Sequence, residues 1–351
     1  MQKRIVALAL LGCVALLAMT PAGCYLSRGA VEEAKILSNR RPIARLVRDP
    51  SVDEGTRSKL KVVLDAREFA KVSLGLKTKE SFTSYSKLDA DTLVLVLSAA
   101  YRDSLKAYTW WFPIVGRVPY KGYFDFERAK RDEQKLQRDG FDTYLRPSDA
   151  FSTLGWFNDP VLSTSLRRDS TELANTVIHE LTHNTFYAPG QAYFNESFAS
   201  FVGARGAAAF FQGRGQERAA REVEARWADE KLLSVFWAQL LTSLDSAFSA
   251  HSGSRTERLG ARDTVYARAR AALITDVSRK FQTIGPTYAT RVPLDNAALL
   301  ARRIYAQDLQ CFDDVYVREG KSLNRAIARI IGLARANPKD PYGALHRFLG
   351  K

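Results

Sequence analysis

Histidine, cysteine and methionine are all scarce in this chain: its 351 residues hold four, three and two of them. Cys13 and Cys24 lie in or just behind an apolar leader, so no disulfide framework is available, and a structural zinc closed by cysteines is argued against. Cys311, the one thiol remaining after them, reads as a small buried hydrophobe. Both methionines, Met1 and Met19, also fall in the leader. There is no low-complexity tract, no internal repeat and no linker rich in Pro, Gly or Ser to mark separate domains. The net charge is +14, yet the basic residues are dispersed among acids, as in "ERAAREVEARWADEK", which is the pattern of a solvated helix face. Without an aromatic-interleaved basic stripe or a recognition motif, nucleic acid is excluded as a partner. With 46% hydrophobic residues the chain is globular, and its stability must come from packing.

What is present begins with a targeting segment. Lys3 and Arg4 precede an apolar run from Ile5 to Met19, of the length of a signal-peptide core and too short for a confident membrane span. Pro21-Ala22-Gly23-Cys24 follows and resembles the lipobox of bacterial lipoproteins, which implies cleavage before Cys24 and its lipidation. The rival Leu10-Leu11-Gly12-Cys13 would leave only a short apolar core and expose Val14 to Met19; an ordinary cleaved signal or an uncleaved anchor are the other readings. Tyr25 instead of Asp at the next position implies, by the same resemblance, an outer-membrane lipoprotein facing the periplasm. Arg40, Arg41, Arg45 and Arg48 in "NRRPIARLVR" could rest on anionic headgroups as a second membrane signal. Removing residues 1–23 leaves 328 of the 351, enough for one large core or two modest ones.

Periodicity predicts helices at 30–38 and 53–75, a buried strand in "TLVLVLSAAY" (92–101), strand, turn and strand across 108–124, a charged helix at 125–138 and a strand in "FDTYLRP". From Asp169 onward the pattern is almost wholly helical: 169–187, 195–212, 216–249, 262–283, 294–317 and 320–334. The fold class is therefore α+β, a small sheet in the N-terminal half packed beside a helical region. The mature chain, 24–351, is expected to be one domain with an α/β front part to about residue 168 and a helical part from about 169 to 351.

Two of the four histidines, His179 and His183, flank Glu180 in "HELTH". Asp-Ser-Thr-Glu at 169–172 is an N-cap signature, and Leu173, Val177, Ile178 and Leu181 continue at helical spacing. Positions four apart on a helix differ by about 40° in direction and about 6 Å in height, so both imidazoles project from one face. That suits two nitrogen ligands of a tetrahedral Zn2+, and with Glu180 the pattern is H-E-x-x-H. A catalytic zinc needs a third protein ligand and an open position for water. After the Ala188-Pro189-Gly190 turn a second helix opens at Asn195-Glu196 and folds back, so Glu196 can face the same ion. Glu180 is then the base and not a ligand. The bland alternative is a pair of surface or capping histidines.

"HELTH" with "NESFAS" resembles the gluzincin metallopeptidases, and the order "GCYL", "WWFPIVGRVPYKGYFD", "STLGWFNDP", "HELTH", "NESFA" is similar to a bacterial family of predicted zinc aminopeptidases that are lipoproteins. The similarity covers roughly the whole mature chain, most convincingly 108–203. It implies His179, His183 and Glu196 as zinc ligands, Glu180 as general base and a peptide substrate. This chain departs from better-known gluzincins in two respects: only twelve residues separate His183 from Glu196, and Ser200 stands where thermolysin-like enzymes carry an aspartate. The G-x-M-E-N motif of the aminopeptidase-N type is absent, since no methionine lies outside the leader. An exopeptidase also needs an acid for the substrate's free amine. Ser152 to Trp156, with Gly155 and Trp156, is a candidate edge strand for a peptide backbone, and Asp159 a candidate amine anchor. Core packing is the competing reading of Trp156. Tyr305 sits where the family keeps a tyrosine and is the candidate oxyanion stabiliser, with His251 and His346 as alternatives. A zinc endopeptidase, an inactive zinc-binding envelope scaffold and a non-catalytic lipoprotein adaptor complete the set of functional readings.

Overall fold

The computed structural model describes residues 35–88, 94–112, 116–148, 160–303 and 308–351. Among the described residues, the front half holds three small sheets. Strand β1 (Arg41–Pro42) leads into helix α1 (Ile43–Leu46), and α2 (Glu54–Val72) starts at Asp53, whose carboxylate accepts the Thr56 amide. Next come β2 (Ser84–Ser86), β3 (Val94–Tyr101), β4 (Trp110–Phe112), β5 (Gly116–Val118) and β6 (Tyr120–Tyr123). Helix α3 (Phe126–Arg138), β7 (Phe141–Ser148) and β8 (Val161–Leu162) complete this half. β1 pairs antiparallel and β8 parallel with β2, while β4 and β5 form a hairpin of their own.

The main sheet runs β6-β3-β7, all antiparallel, with Val94 opposite Ser148 and Tyr101 opposite Phe141. β3 is the expected apolar strand, and its residues from Val96 to Ala100 are buried because both faces are covered. Leu97 and Ala99 pack under Ala129 and Leu136 of α3. The sheet also packs against the helix Asn296–Arg303.

Beyond residue 169 the described chain is helical. Helices α4 (Ser170–Thr185), α5 (Ala192–Gln212), α6 (Glu217–Ala250) and α7 (Arg255–Ala272) are followed by a π turn at Leu273–Val277, α8 (Thr287–Arg291) and α9 (Asn296–Arg303). Then come α10 (Leu309–Arg318), α11 (Leu323–Ala336) and α12 (Pro341–Leu349). The fold class is α+β, as the sequence predicts. The predicted helix at 294–317 is two helices among the described residues, and Asp308, at the start of the second, adopts a left-handed φ of 46° that no continuing helix permits. The helix predicted at 262–283 instead begins at Arg255, capped by the Ser254 hydroxyl, and gives way to the π turn after Ala272.

Two large apolar cores lie in this arrangement, and α6 passes through both. The first gathers α1, α2, α4, α5, α10, α11 and α12 with Ala220, Val223 and Trp227 of α6. The second gathers Phe236, Trp237, Leu240, Leu244 and Phe248 of α6 with Tyr266, Leu273, Ala289 and Leu299. Asn296 ties the second core to the main sheet: its amide donates to Asp142 (2.9 Å), its side chain donates to the Tyr101 carbonyl (2.8 Å), and Tyr266 donates to it (2.6 Å). In the small sheet region Ile43 and Leu46 turn inward, leaving Arg41, Arg45 and Arg48 exposed.

Candidate metal centre

Helix α4 is fixed at its N-terminal end. Asp169 caps it, accepting the Thr171 and Glu172 amides at 2.8 and 2.9 Å. Arg226 reaches across from α6 to Asp169 at 2.6 Å and Glu172 at 3.3 Å. Burial works against the Asp169 charge, but hydrogen bonds from Arg226, Thr171 and the Glu172 amide outweigh it and hold the carboxyl far below the usual carboxylate range. Leu173, Ala174, Val177, Ile178 and Leu181 are buried in the first core, each large side chain contributing roughly 1.5–3 kcal/mol. The flank beside this apolar stripe carries His179 and His183.

The facing helix is brought in by a turn and a close contact. Phe186 ends α4, and Gly190 takes a φ of 77°, which only a residue without Cβ adopts freely. The buried Asn195 then clamps the turn, accepting the Ala188 amide and donating to the Ala188 carbonyl, both at 2.8 Å. Farther along α5, Gly203 lies against α4 so closely that a Cβ would stand 2.3 Å from the Asn175 side-chain oxygen and 3.2 Å from the His179 Cβ. Clamp and contact together set Glu196 opposite the two imidazoles.

The donors converge. His179 Nε2 and His183 Nε2 are 3.2 Å apart, and each is 3.5 Å from one oxygen of Glu196. A tetrahedral ion with arms of about 2.0–2.1 Å needs ligand atoms about 3.3–3.4 Å apart, so the observed separations fit such an ion. The side chains are 18, 21 and 25% exposed, which leaves the centre reachable from solvent. Desolvation opposes the Glu196 charge, yet the hydrogen bonds of His179 and His183 prevail and bring its carboxyl down to about 2. Desolvation likewise opposes a charge on His179, and is outweighed by Glu196, Glu180 and Glu230, so its pKa is raised. An anionic oxygen facing two imidazoles is a donor set for a borderline cation. Glu180 is half-buried and, among the described residues, spends its carboxylate on no hydrogen bond or ion pair.

A second grouping joins Asp308, the buried Cys311 and His346. Here the His346 and Asp308 donors are 2.6 Å apart, a hydrogen bond and too short for the edge of a tetrahedral site. Burial pushes the Cys311 thiol up to about 12, in line with its reading as a core residue. His251 is half-exposed near the end of α6 and stands 3.7 Å from Glu257.

The structure thus brings His179, His183 and Glu196 together, with Glu180 on the same helix. Cys24, Gly155, Trp156, Asp159 and Tyr305 lie outside the described residues. Gly203 and Arg226 are positioning residues that sequence reasoning did not single out, and Asn195, read there only as the opening of the second helix, is a third. Gly203 had a signal, a glycine inside an apolar helix; the arginine, in a charge-rich stretch, had none.

No curated protein and no solved structure matches the chain. Its sequence from residue 24 to residue 344 does match a protein family, described as "Putative aminopeptidase", and a match over that much of its length places the chain in this aminopeptidase family.

Proposed function

We propose that the chain is a zinc-dependent aminopeptidase of the cell envelope, hydrolysing N-terminal residues from peptides. The observation that carries this reading is the set of three donor separations, 3.2, 3.5 and 3.5 Å, among His179, His183 and Glu196. Membership of the aminopeptidase family supports the choice of peptide bonds as substrate. Zinc held by these residues would supply a Lewis acid for the peptide carbonyl and lower the pKa of water in its open position.

The chain's own residues do the rest. The two imidazoles would hold the ion through Nε2, and Glu196, held ionised, would contribute the compensating negative charge. Glu180 leaves the helix about 100° round from His179, so it stands beside the ligands and not among them. Its uncommitted carboxylate takes the proton from the attacking water and returns it to the departing amine nitrogen. Tyr305 remains the proposed oxyanion stabiliser.

Attachment to the outer membrane through lipidated Cys24, with the body facing the periplasm, is part of this proposal. It draws support from the lipobox-like Pro21-Ala22-Gly23-Cys24 and from the exposed Arg41, Arg45 and Arg48. Among the described residues no helix is long and apolar enough to cross a membrane.

The test is a peptide digest read by mass spectrometry with the zinc-loaded chain and Glu180→Gln. Stepwise loss of N-terminal residues is expected, slowed about 10²- to 10⁴-fold in the variant with its zinc retained. Undiminished turnover would remove Glu180 from the mechanism, and internal cuts would refute the exopeptidase assignment.

A further inference from the structure

Helix α6 carries an inward-facing stripe that is interrupted once. Val223, Trp227, Ser234 and Trp237 are buried at 3, 2, 3 and 5% exposure, spaced by four, seven and three residues. Glu230 falls between Trp227 and Ser234 on the same side, within about 60° of all of them at 100° per residue, and yet it is exposed. The first core ends on α6 at Trp227 and the second begins at Leu233. Solvent therefore reaches the inner face of α6 at the gap between the two cores, and the residue placed there is an acid.

The gap lies on the helix that is fastened to α4, the helix of His179 and His183. Arg226, one turn before Glu230, fastens α6 to the first turn of α4, and the Glu230 carboxylate and the His179 imidazole are close enough for their charges to act on one another. The neighbouring charged side chains are already committed. Asp229 accepts the amides of Gln282, Thr283 and Ile284 and the Thr283 hydroxyl at 2.8–3.0 Å. Lys231 is held by Asp313 at 2.5 Å. Among the described residues Glu230 makes no hydrogen bond or ion pair, and the protein walls around it push its carboxyl up to about 7, against His179 and Arg226, which pull it down. A carboxylate that protein groups partly desolvate, and that no side chain of the described residues bonds directly, is suited to a cationic guest.

We infer that Glu230 is the acid that receives the α-ammonium of the peptide's first residue, and so determines that this centre trims from the N-terminus. The inference rests on the zinc aminopeptidase reading and deepens it.

The experiment compares two probes that share a hydroxamate and an isobutyl side chain and differ only in the α-amine: L-leucine hydroxamate and 4-methylpentanoyl hydroxamate. Binding to the zinc-loaded chain is measured by calorimetry, with zinc content and circular dichroism recorded for each variant. Wild type is expected to favour the amine-bearing probe by about 10- to 100-fold, the worth of a hydrogen bond to a charged group. Glu230→Gln should bring that ratio to near unity while leaving affinity for the amine-free probe and zinc content unchanged, and Glu230→Asp should restore part of it. A Glu230→Gln variant that keeps the preference, or a wild type that shows none, overturns the assignment. If neither probe binds wild type, the metal reading beneath it has failed instead, a result the amine-free probe makes distinguishable.

Discussion

At the corner between α4 and α5 three donors stand 3.2–3.5 Å apart, whereas at the start of α10 His346 and Asp308 have closed to 2.6 Å above the buried Cys311. Both places combine imidazole with carboxylate, but they differ in what holds the groups. His179 and His183 share one helix whose backbone fixes their spacing, and Glu196 is fixed by the Asn195 clamp behind it and the Gly203 contact beyond it. His346 sits on a short C-terminal helix, and Asp308 precedes α10 in a left-handed turn, so the two satisfy each other directly. A binding centre needs donors that the scaffold keeps from satisfying each other; where the scaffold lets them meet, they become a structural bond.

Asp313 shows the satisfied extreme, and its removal should have the largest effect on stability. It is almost fully buried and receives Arg205 at 2.8 Å, Trp227 at 2.9 Å and Lys231 at 2.5 Å, tying α5, α6 and α10 together. Asp313→Asn is expected to cost about 3 kcal/mol at neutral pH, the lower range for breaking a buried pair, measured by urea denaturation. Burial raises the Asp313 pKa, but its three donors outweigh burial and leave it lowered. The unfolded carboxyl, near 3.9, therefore takes up its proton first as pH falls. The stabilisation is fully present above that value and is lost as pH drops through the folded pKa, so the gap between wild type and variant should close below about pH 4. A gap that persists at acid pH would deny the ion pair its role.

Gly203→Ala probes the open cluster. The added methyl group meets the Asn175 side chain and backbone as well as His179, and overpacking of this kind costs about 1–3 kcal/mol. Because relief requires α5 to retreat from α4, zinc affinity should fall with stability. A destabilised variant of unchanged zinc affinity would show that the contact does not position Glu196.

Much of the cluster was legible because it is local. The N-cap at Asp169, the apolar spacing of α4 and the four-residue interval between the histidines are all properties of one helix, and helices write themselves in sequence. The Pro-Gly turn made the return of Glu196 a short-range inference as well. Asp340-Pro341, a cap followed by proline at the first helical position, was an available signal for α12. The remainder depends on contacts between distant segments. Arg226 and Glu230 lie in "ERAAREVEARWADEK", where acids and bases alternate as on any solvated helix; the break between two cores, and the arginines that pair with Glu222 and Glu224, distinguish Glu230 from them only in three dimensions. The split of the predicted 294–317 helix depends on the backbone turn at Asp308, which the apolar spacing around it did not announce.

The most direct test of the central claim is zinc content per chain, measured by mass spectrometry of the purified, untagged protein after exhaustive dialysis. Wild type and His346→Ala should each retain about one zinc, and His183→Ala close to none, since a three-ligand site loses its ion with a ligand. A wild type that holds no zinc, or a His183→Ala variant that holds it as well as wild type does, would contradict the account.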